Sequence, residues 1–426
     1  MMIDGACPLI KRLFQSRFIR GVTTLASANI AGQLILLAAI PLLTRLYSPE
    51  EFGVFAVFAA ILGVVGGVSN LRYELAIPLP RRDRDAGHLL LASLLINLIF
   101  AGVVVIMVAL LRGAVARWTE TPAMEQLLWL LPIILLVSGS YRALKFWAVR
   151  EKNYSQIAST RINQSLANAF IQVVGGFAGL GVWSLVSGQG VGQSVGIRTL
   201  SRLMPMRQIF LESKSETLRV KALLKKYRRF PIYDVPAVFF NSISIQLPNF
   251  LMAVLFNPAV AGFYYLADRV LAAPMIMVSQ AVAQVLYGDI KGLKASGELV
   301  TRCMKVTLVM AFITFPPILF LVFFSETIFV LGFGEEWSEA GIYAGWLIFG
   351  LSARFLYSPL SLVLMALDCQ AENLLINIVI VLLKLLSFVV SFFAGEALFA
   401  VVGVSLSMVV GHLFGVFVVF FKASRH

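Results

Sequence analysis

From Leu89 to Leu111 the chain runs without a single charge, and only Ser93 and Asn97 break its apolar character. At about 1.5 Å per residue such a run is long enough, as a helix, to cross the roughly 30 Å hydrocarbon layer of a bilayer. Turn residues and charge clusters divide the 426 residues into twelve comparable stretches: 21–43, 53–79, 87–111, 124–147, 155–179, 181–204, 233–256, 260–286, 304–331, 341–367, 372–395 and 397–421. A lipid-spanning barrel needs short alternating segments, so these continuous runs predict an all-α integral membrane protein with about twelve transmembrane helices. Composition agrees: 59% of residues are hydrophobic and 13% charged, against about 25% charged in soluble domains, and mean hydropathy is +0.87. The fifth and sixth stretches are the most polar, with Arg161, Asn163, Gln164, Gln189 and Gln193, and they meet at a very short turn, Gly179-Leu180-Gly181.

The net charge of +13 would suggest nucleic acid in a soluble chain, but here its distribution reads as topology and predicts no nucleic-acid partner. With both termini placed inside, the cytoplasmic segments collect Lys11, Arg12, Arg17 and Arg20, then Arg81, Arg82 and Arg84, then Arg142, Lys145, Arg150, Lys152 and Arg161. The stretch from Arg198 to Arg229, together with Lys291, Lys294, Arg302, Lys305, Lys422 and Arg425, adds to the same side. The opposite side holds Arg45, Arg112 and Arg117 and an acidic loop at Glu335, Glu336 and Glu339. This asymmetry predicts a multi-pass membrane protein with both termini in the cytoplasm. The basic residues before the first span precede a run with no small-residue cleavage pattern, so the N-terminus is expected to be retained.

A polar linker, 205–232, separates six spans from six. Leu46-Tyr47-Ser48-Pro49, with Gly53 and Phe55, matches Leu255-Phe256-Asn257-Pro258, with Gly262 and Tyr264, and Pro258 follows Pro49 by 209 residues, near half the chain. The expected organisation is a cytoplasmic segment 1–20, an N-terminal six-helix lobe 21–204, the basic linker, a C-terminal six-helix lobe 233–421 and a cytoplasmic tail 422–426. Because six is even, both lobes enter from the cytoplasm and form a parallel repeat, an arrangement suited to enclosing a central path.

Charges in mid-membrane mark the candidate site. Arg354 and Lys384 fall at the centres of their spans, about 16–20 Å from either interface, beyond the reach of snorkelling. Each costs at least about 2.5–3.5 kcal/mol there unless it meets water, a partner or a ligand. They are expected to line a cavity of the C-terminal lobe and attract an anion; the plainer reading is an ion pair with Asp268 or Asp234. Asp268 and Arg269 are adjacent, so about 100° apart on a helix, and are weighed equally as cavity residues and as structural charges. Arg72 and Glu74, flanking Tyr73, are candidates for a gate at the cytoplasmic entrance or for a pair with another helix, with snorkelling as the alternative, and their i,i+2 spacing argues against direct helical pairing; Asp234, at a span entrance, is expected to be solvated. Pro132, Pro248, Pro274, Pro316, Pro317 and Pro359 fall inside spans, where each removes a backbone hydrogen bond. Gly175-x3-Gly179, Gly188-x3-Gly192-x3-Gly196 and Gly411-x3-Gly415 read as close helix contacts.

Enzyme signatures are missing. The sequence has no GxxxxGK[ST] phosphate loop, HExxH motif or Ser-His-acid set, and the Gly188–Gly196 stretch lacks dinucleotide spacing. Cys7, Cys303 and Cys369, and His88, His412 and His426, are scattered, predicting neither a disulfide framework nor a metal site. Nothing calls for a cofactor. The run Lys225-Lys226-Tyr227-Arg228-Arg229 fits anionic lipid headgroups or topology alone.

Several stretches resemble the polysaccharide transporter (O-antigen and exopolysaccharide flippase) family of the multidrug/oligosaccharidyl-lipid/polysaccharide exporter superfamily. They are Pro41 to Gly53, Leu71-Arg72-Tyr73-Glu74-Leu75-Ala76-Ile77, Trp147-x2-Arg150-x3-Tyr154, Tyr227-Arg228-Arg229-Phe230-Pro231, and Gln246-Leu247-Pro248 through Asp268-Arg269-Val270. The resemblance implies a MATE-like architecture of two lobes and alternating access. It also implies transfer of undecaprenyl-pyrophosphate-linked oligosaccharide, as part of polysaccharide, O-antigen or exopolysaccharide biosynthesis, from the cytoplasmic to the periplasmic leaflet of the bacterial cytoplasmic (inner) membrane. Membrane lipid and a polyprenyl-pyrophosphate-linked glycan would be partners, with a polysaccharide polymerase and assembly proteins as further candidates. Basic cavity residues are expected to meet the pyrophosphate, in agreement with Arg354 and Lys384, although no family motif assigns those positions. A cation-coupled multidrug exporter of the same superfamily is the alternative, but the first, third, fifth and sixth spans carry no carboxylate for ion exchange. A membrane enzyme of polysaccharide assembly would be expected to carry a sizeable periplasmic domain, and a purely structural protein would not need buried charges.

Overall fold

A computed structural model describes residues 17–202, 217–367 and 369–425. Cys7, Lys11, Arg12, His426 and, in the linker, Pro205, Arg207 and Lys214 lie outside the described residues. The described residues form helices and turns with no strand. Among the described residues there are twelve long helices: α1 Arg17–Leu43, α2 Pro49–Gly66, α3 Asp83–Trp118, α4 Leu130–Arg150, α5 Tyr154–Phe177, α6 Val182–Ser201, α7 Val235–Leu255, α8 Pro258–Ser296, α9 Leu299–Phe333, α10 Ser338–Ala366, α11 Gln370–Ala394 and α12 Ala397–Ala423. Ten have the length and apolarity to cross a membrane; α5 and α6 are the other two. Gln164 and Gln172 of α5 turn inward, Gln164 Nε2 donating to the Gln193 carbonyl at 3.3 Å and Gln172 Nε2 to the Leu185 carbonyl at 3.0 Å. The glycine stripe of α6 makes this contact close, since a Cβ on Gly192 would lie 2.9 Å from the Gln164 carbonyl oxygen. The turn between these helices places Gly179 and Gly181 at φ 69° and 56°, a region open to glycine at little cost.

The second span is shorter than expected. α2 ends at Gly66, and the chain passes through turns to a short 3-10 helix, Tyr73–Ala76, with Leu71 and Arg72 at positive φ. The sequence Gly66-Gly67-Val68-Ser69-Asn70 explains the break, because glycine and short polar residues favour turns over helix. Irregular backbone of this kind persists in a membrane protein only where other groups satisfy it. Arg142 Nη2 donates to the Gly66 carbonyl and to Ser69 Oγ, both at 2.6 Å, while Asn70 Nδ2 donates to Ser93 Oγ and the Gly139 carbonyl. Pro132 also departs from expectation. It sits in the first turn of α4, where the missing N–H is no loss, whereas Pro248, Pro274, Pro316, Pro317 and Pro359 lie inside continuous helices.

The described residues form two compact units, one falling within 1–39, 65–112 and 126–239, the other within 40–64, 113–125 and 240–426. In the first, Arg150 donates to Asp83 and to the carbonyls of Pro78 and Pro80, and Arg219 pairs with Asp85 at 2.8 Å, tying loop ends together. In the second, α10 is the central helix, packed on α8, α9 and α12. Of its apolar stretch 67% is buried, against 11% for α9, whose Phe312, Phe323 and Leu331 are exposed as lipid-facing residues would be.

The repeated loops meet inside this second unit. Ser48 caps α2 through a reciprocal pair with Glu51, and Asn257 Oδ1 accepts from the Val260 N–H at the start of α8, both standard N-terminal devices. A Cβ on Gly53 would lie 1.7 Å from the Pro258 carbonyl oxygen, and one on Gly262 would lie 2.0 Å from that of Pro49. The contact is reciprocal and backbone to backbone. Beside it Trp337, fully buried, donates Nε1–H to the Thr44 carbonyl at 3.0 Å and packs edge-on against Phe52 and Phe263.

Because a methyl at either glycine meets backbone, Gly53→Ala and Gly262→Ala should each destabilise the folded chain by about 1–3 kcal/mol. The double variant should fall short of the sum, since both changes open one contact. Thermal unfolding in detergent checks this, and additive losses would mean the two glycines do not share a contact.

Candidate functional site

Lys384 is central to α11 and 5% exposed. Its ammonium donates to the Ser244 carbonyl of α7 at 2.8 Å. That acceptor is available for a sequence reason: Pro248, four residues on, has no N–H to close the helical bond to residue 244. The Gln246-Leu247-Pro248 segment thus creates a vacancy that a buried lysine fills.

Arg354, on α10, and Asp268, on α8, line the same cavity of about 240 Å³ as Lys384. Asp268 lies in the field of Arg354 foremost, then Lys384 and Arg269. Among the described residues no ion pair within 4 Å joins Asp268 to either cavity cation, and Arg354 makes no hydrogen bond or ion pair. Two cations therefore share one carboxylate at a distance, leaving the cavity with an excess of positive charge. Asn241, Asn373 and Asn377 add polar groups to its wall, with Tyr264, Tyr357 and His412. Tyr357 donates its hydroxyl to Asn373 Oδ1 at 2.7 Å. His412 Nδ1 faces the Met408 carbonyl at 2.7 Å, which can only accept, so Nδ1 carries a proton, and in the neutral ring Nε2 is then an acceptor. Gly415 against the Tyr357 ring and Gly411 against Ile380 bring α12 close enough for His412 to reach the cavity.

Of the sequence-marked residues, Arg354, Lys384 and Asp268 come together here, and Arg269 lies outside this lining. His412 and Tyr264 carried no signal that set them apart, although the 3.6-residue period does place Tyr264 one turn before Asp268 on one face. Arg72 and Glu74 belong to the other unit. Arg72 Nε donates to Asp234 Oδ2 at 2.6 Å, so Asp234, expected to be solvated, is instead an ion-pair partner. Arg72 Nη1 also comes within 3.7 Å of Glu74. The helical spacing argument fails here because Arg72 has φ 62° and lies outside any α-helix. Glu74 is 1% exposed and is attracted by Arg142 and Arg72.

The chain matches the polysaccharide biosynthesis protein family over residues 42–342. It is similar to the "Succinoglycan biosynthesis transport protein ExoT" of Rhizobium meliloti (strain 1021), 25% identical over 74% of this chain and 61% of that protein. It is also similar to the "Lipopolysaccharide biosynthesis protein WzxC" of Escherichia coli (strain K12), 23% identical over 71% of this chain and 60% of that one. The matches thus span about three fifths of the length of these curated relatives. Among solved structures it resembles a multidrug resistance MATE family transporter of the MOP superfamily in an inward-facing conformation, with TM-score 0.74 and 14% identity over 94% of this chain and 98% of that one. Lipid II flippase MurJ in an inward closed conformation gives TM-score 0.74 and 13% identity over 94% and 90%. The fold is therefore MATE-like, as expected from the sequence.

The Ser244 carbonyl gives a testable coupling. Lys384→Ala should cost about 1–3 kcal/mol by leaving that carbonyl unpaired. Pro248→Ala supplies a backbone N–H to the same acceptor, so the lysine substitution should cost measurably less in that background. A double-mutant cycle on thermal unfolding reads the difference, and equal losses in both backgrounds would mean the two groups do not serve one acceptor.

Proposed function

This chain belongs to the polysaccharide biosynthesis protein family, and from that premise we propose that it is a flippase. It moves undecaprenyl-pyrophosphate-linked oligosaccharide from the inner to the outer leaflet of the cytoplasmic membrane, by alternating access of two six-helix lobes. The observation that carries this reading is the placing of Arg354 and Lys384 in one cavity with a single shared acid, Asp268, inside membrane-spanning helices. A cavity with surplus positive charge in low dielectric attracts a pyrophosphate strongly, and the asparagines and tyrosines of its wall suit a hydroxylated glycan. The relatives named for succinoglycan transport and lipopolysaccharide biosynthesis, with the structural neighbour named a lipid II flippase, favour a glycan-lipid cargo over a drug.

The remaining roles follow from position. Arg72, Glu74 and Asp234 form a charged latch at the cytoplasmic entrance, and Arg269 adds to the field around Asp268. The basic loops face the cytoplasm with both termini, and the glycan is handed on to polymerase and assembly proteins outside. The work is transport rather than covalent chemistry. One observation favours a second reading, a cation-coupled multidrug exporter: a carboxylate, Asp268, does lie within the cavity.

A leaflet assay in proteoliposomes separates these readings. Arg354→Gln and Lys384→Gln, each recovered folded, should slow exposure of a lipid-pyrophosphate-linked sugar roughly tenfold or more, the loss expected from one charged hydrogen bond. Unchanged flipping would remove the anion site. Absence of flipping by folded wild type, with efflux of small cations, would select the exporter.

A further inference from the structure

Arg354 lines two cavities. Besides the polar one, it borders a second of about 300 Å³ between α8 and α10, walled by Met275, Ile276, Leu351 and Phe355 together with Ser279 and Gln280, and with Ser358 also shared. The helical register explains the division. On α8, Tyr264 and Asp268 face the polar cavity, and continuing the same four-residue step brings Ala272 and Ile276 to the second one, about 12 Å from Asp268 to Ile276 along the axis. On α10, Leu351 and Phe355 turn to the second cavity while Tyr357 and Ser361 turn to the first, and Arg354 stands between. A polar chamber and a mainly apolar one therefore meet at a guanidinium that makes no bond among the described residues.

An occupant that satisfies both chambers at once is an amphiphile, with an anionic head at Arg354 and Lys384 and an apolar chain beside it. We propose that the α8–α10 chamber receives the first isoprene units of a prenyl-pyrophosphate, with the phosphate on Arg354 and the glycan side turned to the polar cavity. This rests on the anion site proposed above and adds to it a seat for the lipid. Apolar chain atoms gain from leaving water for such walls, so chain and head would bind more tightly together than the head alone.

The test compares geranyl pyrophosphate with inorganic pyrophosphate on the full chain in nanodiscs. Wild type should bind the geranyl compound at least about tenfold more tightly. Met275→Trp and Ile276→Trp, which fill the chamber, should reduce that affinity to the level of inorganic pyrophosphate without weakening the latter, and Arg354→Gln should weaken both. Equal affinities in wild type, or a chain preference that survives both tryptophans, would overturn the chamber while the anion site stood. Binding of neither compound by wild type would overturn both. A geranyl pyrophosphate bearing a diazirine at its chain end gives a readout on wild type alone: labelling of peptides containing Ile276 and Leu351 supports the seat, and labelling elsewhere overturns it.

Discussion

Within a bilayer a backbone carbonyl that loses its helical donor has no water to replace it, and much of this chain's polar architecture answers that constraint. Where α2 stops at Gly66, a guanidinium from α4 takes up the exposed carbonyl. Where Pro248 interrupts the ladder of α7, an ammonium from α11 does the same. Cations are suited to the task, since they donate several hydrogen bonds and accept none. The same groups bring positive charge into the interior. Charges that repair the backbone are then already in place to meet a ligand.

This dual use separates Lys384 from Arg354. The lysine is anchored to a neighbouring helix, with its direction fixed by one short bond, whereas the arginine has no such anchor among the described residues. An anchored charge contributes a steady potential, and an unanchored one can follow a ligand as it enters. The burial of α10 provides the setting. A helix enclosed by three neighbours can hold a guanidinium away from lipid, which the lipid-facing α9 could not.

Long-period information was legible in the sequence. The apolar runs are set by bilayer thickness, and the duplicated Pro-x3-Gly loops and mid-span charges stand out against them, so the helix count and the company of Asp268, Arg354 and Lys384 could be expected. Short-range irregularity was harder to read. The Val64 to Ile77 stretch hides a helix end, because hydropathy does not register the turn preference of Gly66, Gly67, Ser69 and Asn70. Asp234 looked solvated because its partner, Arg72, is 162 residues away. His412 looked isolated because its neighbours in the cavity come from other helices, through an approach that depends on Gly411 and Gly415.

The seam between Gly53 and Pro258, mirrored by Gly262 and Pro49, has a thermodynamic consequence of its own. Side chains that interlock across an interface lose rotamer freedom each time it forms, up to about 2 kcal/mol for the long ones. Glycine and proline bring almost none to lose. A junction built from them can part and close again with little entropic penalty and without searching among side-chain arrangements, so its reassembly is set by the geometry of two helix ends alone.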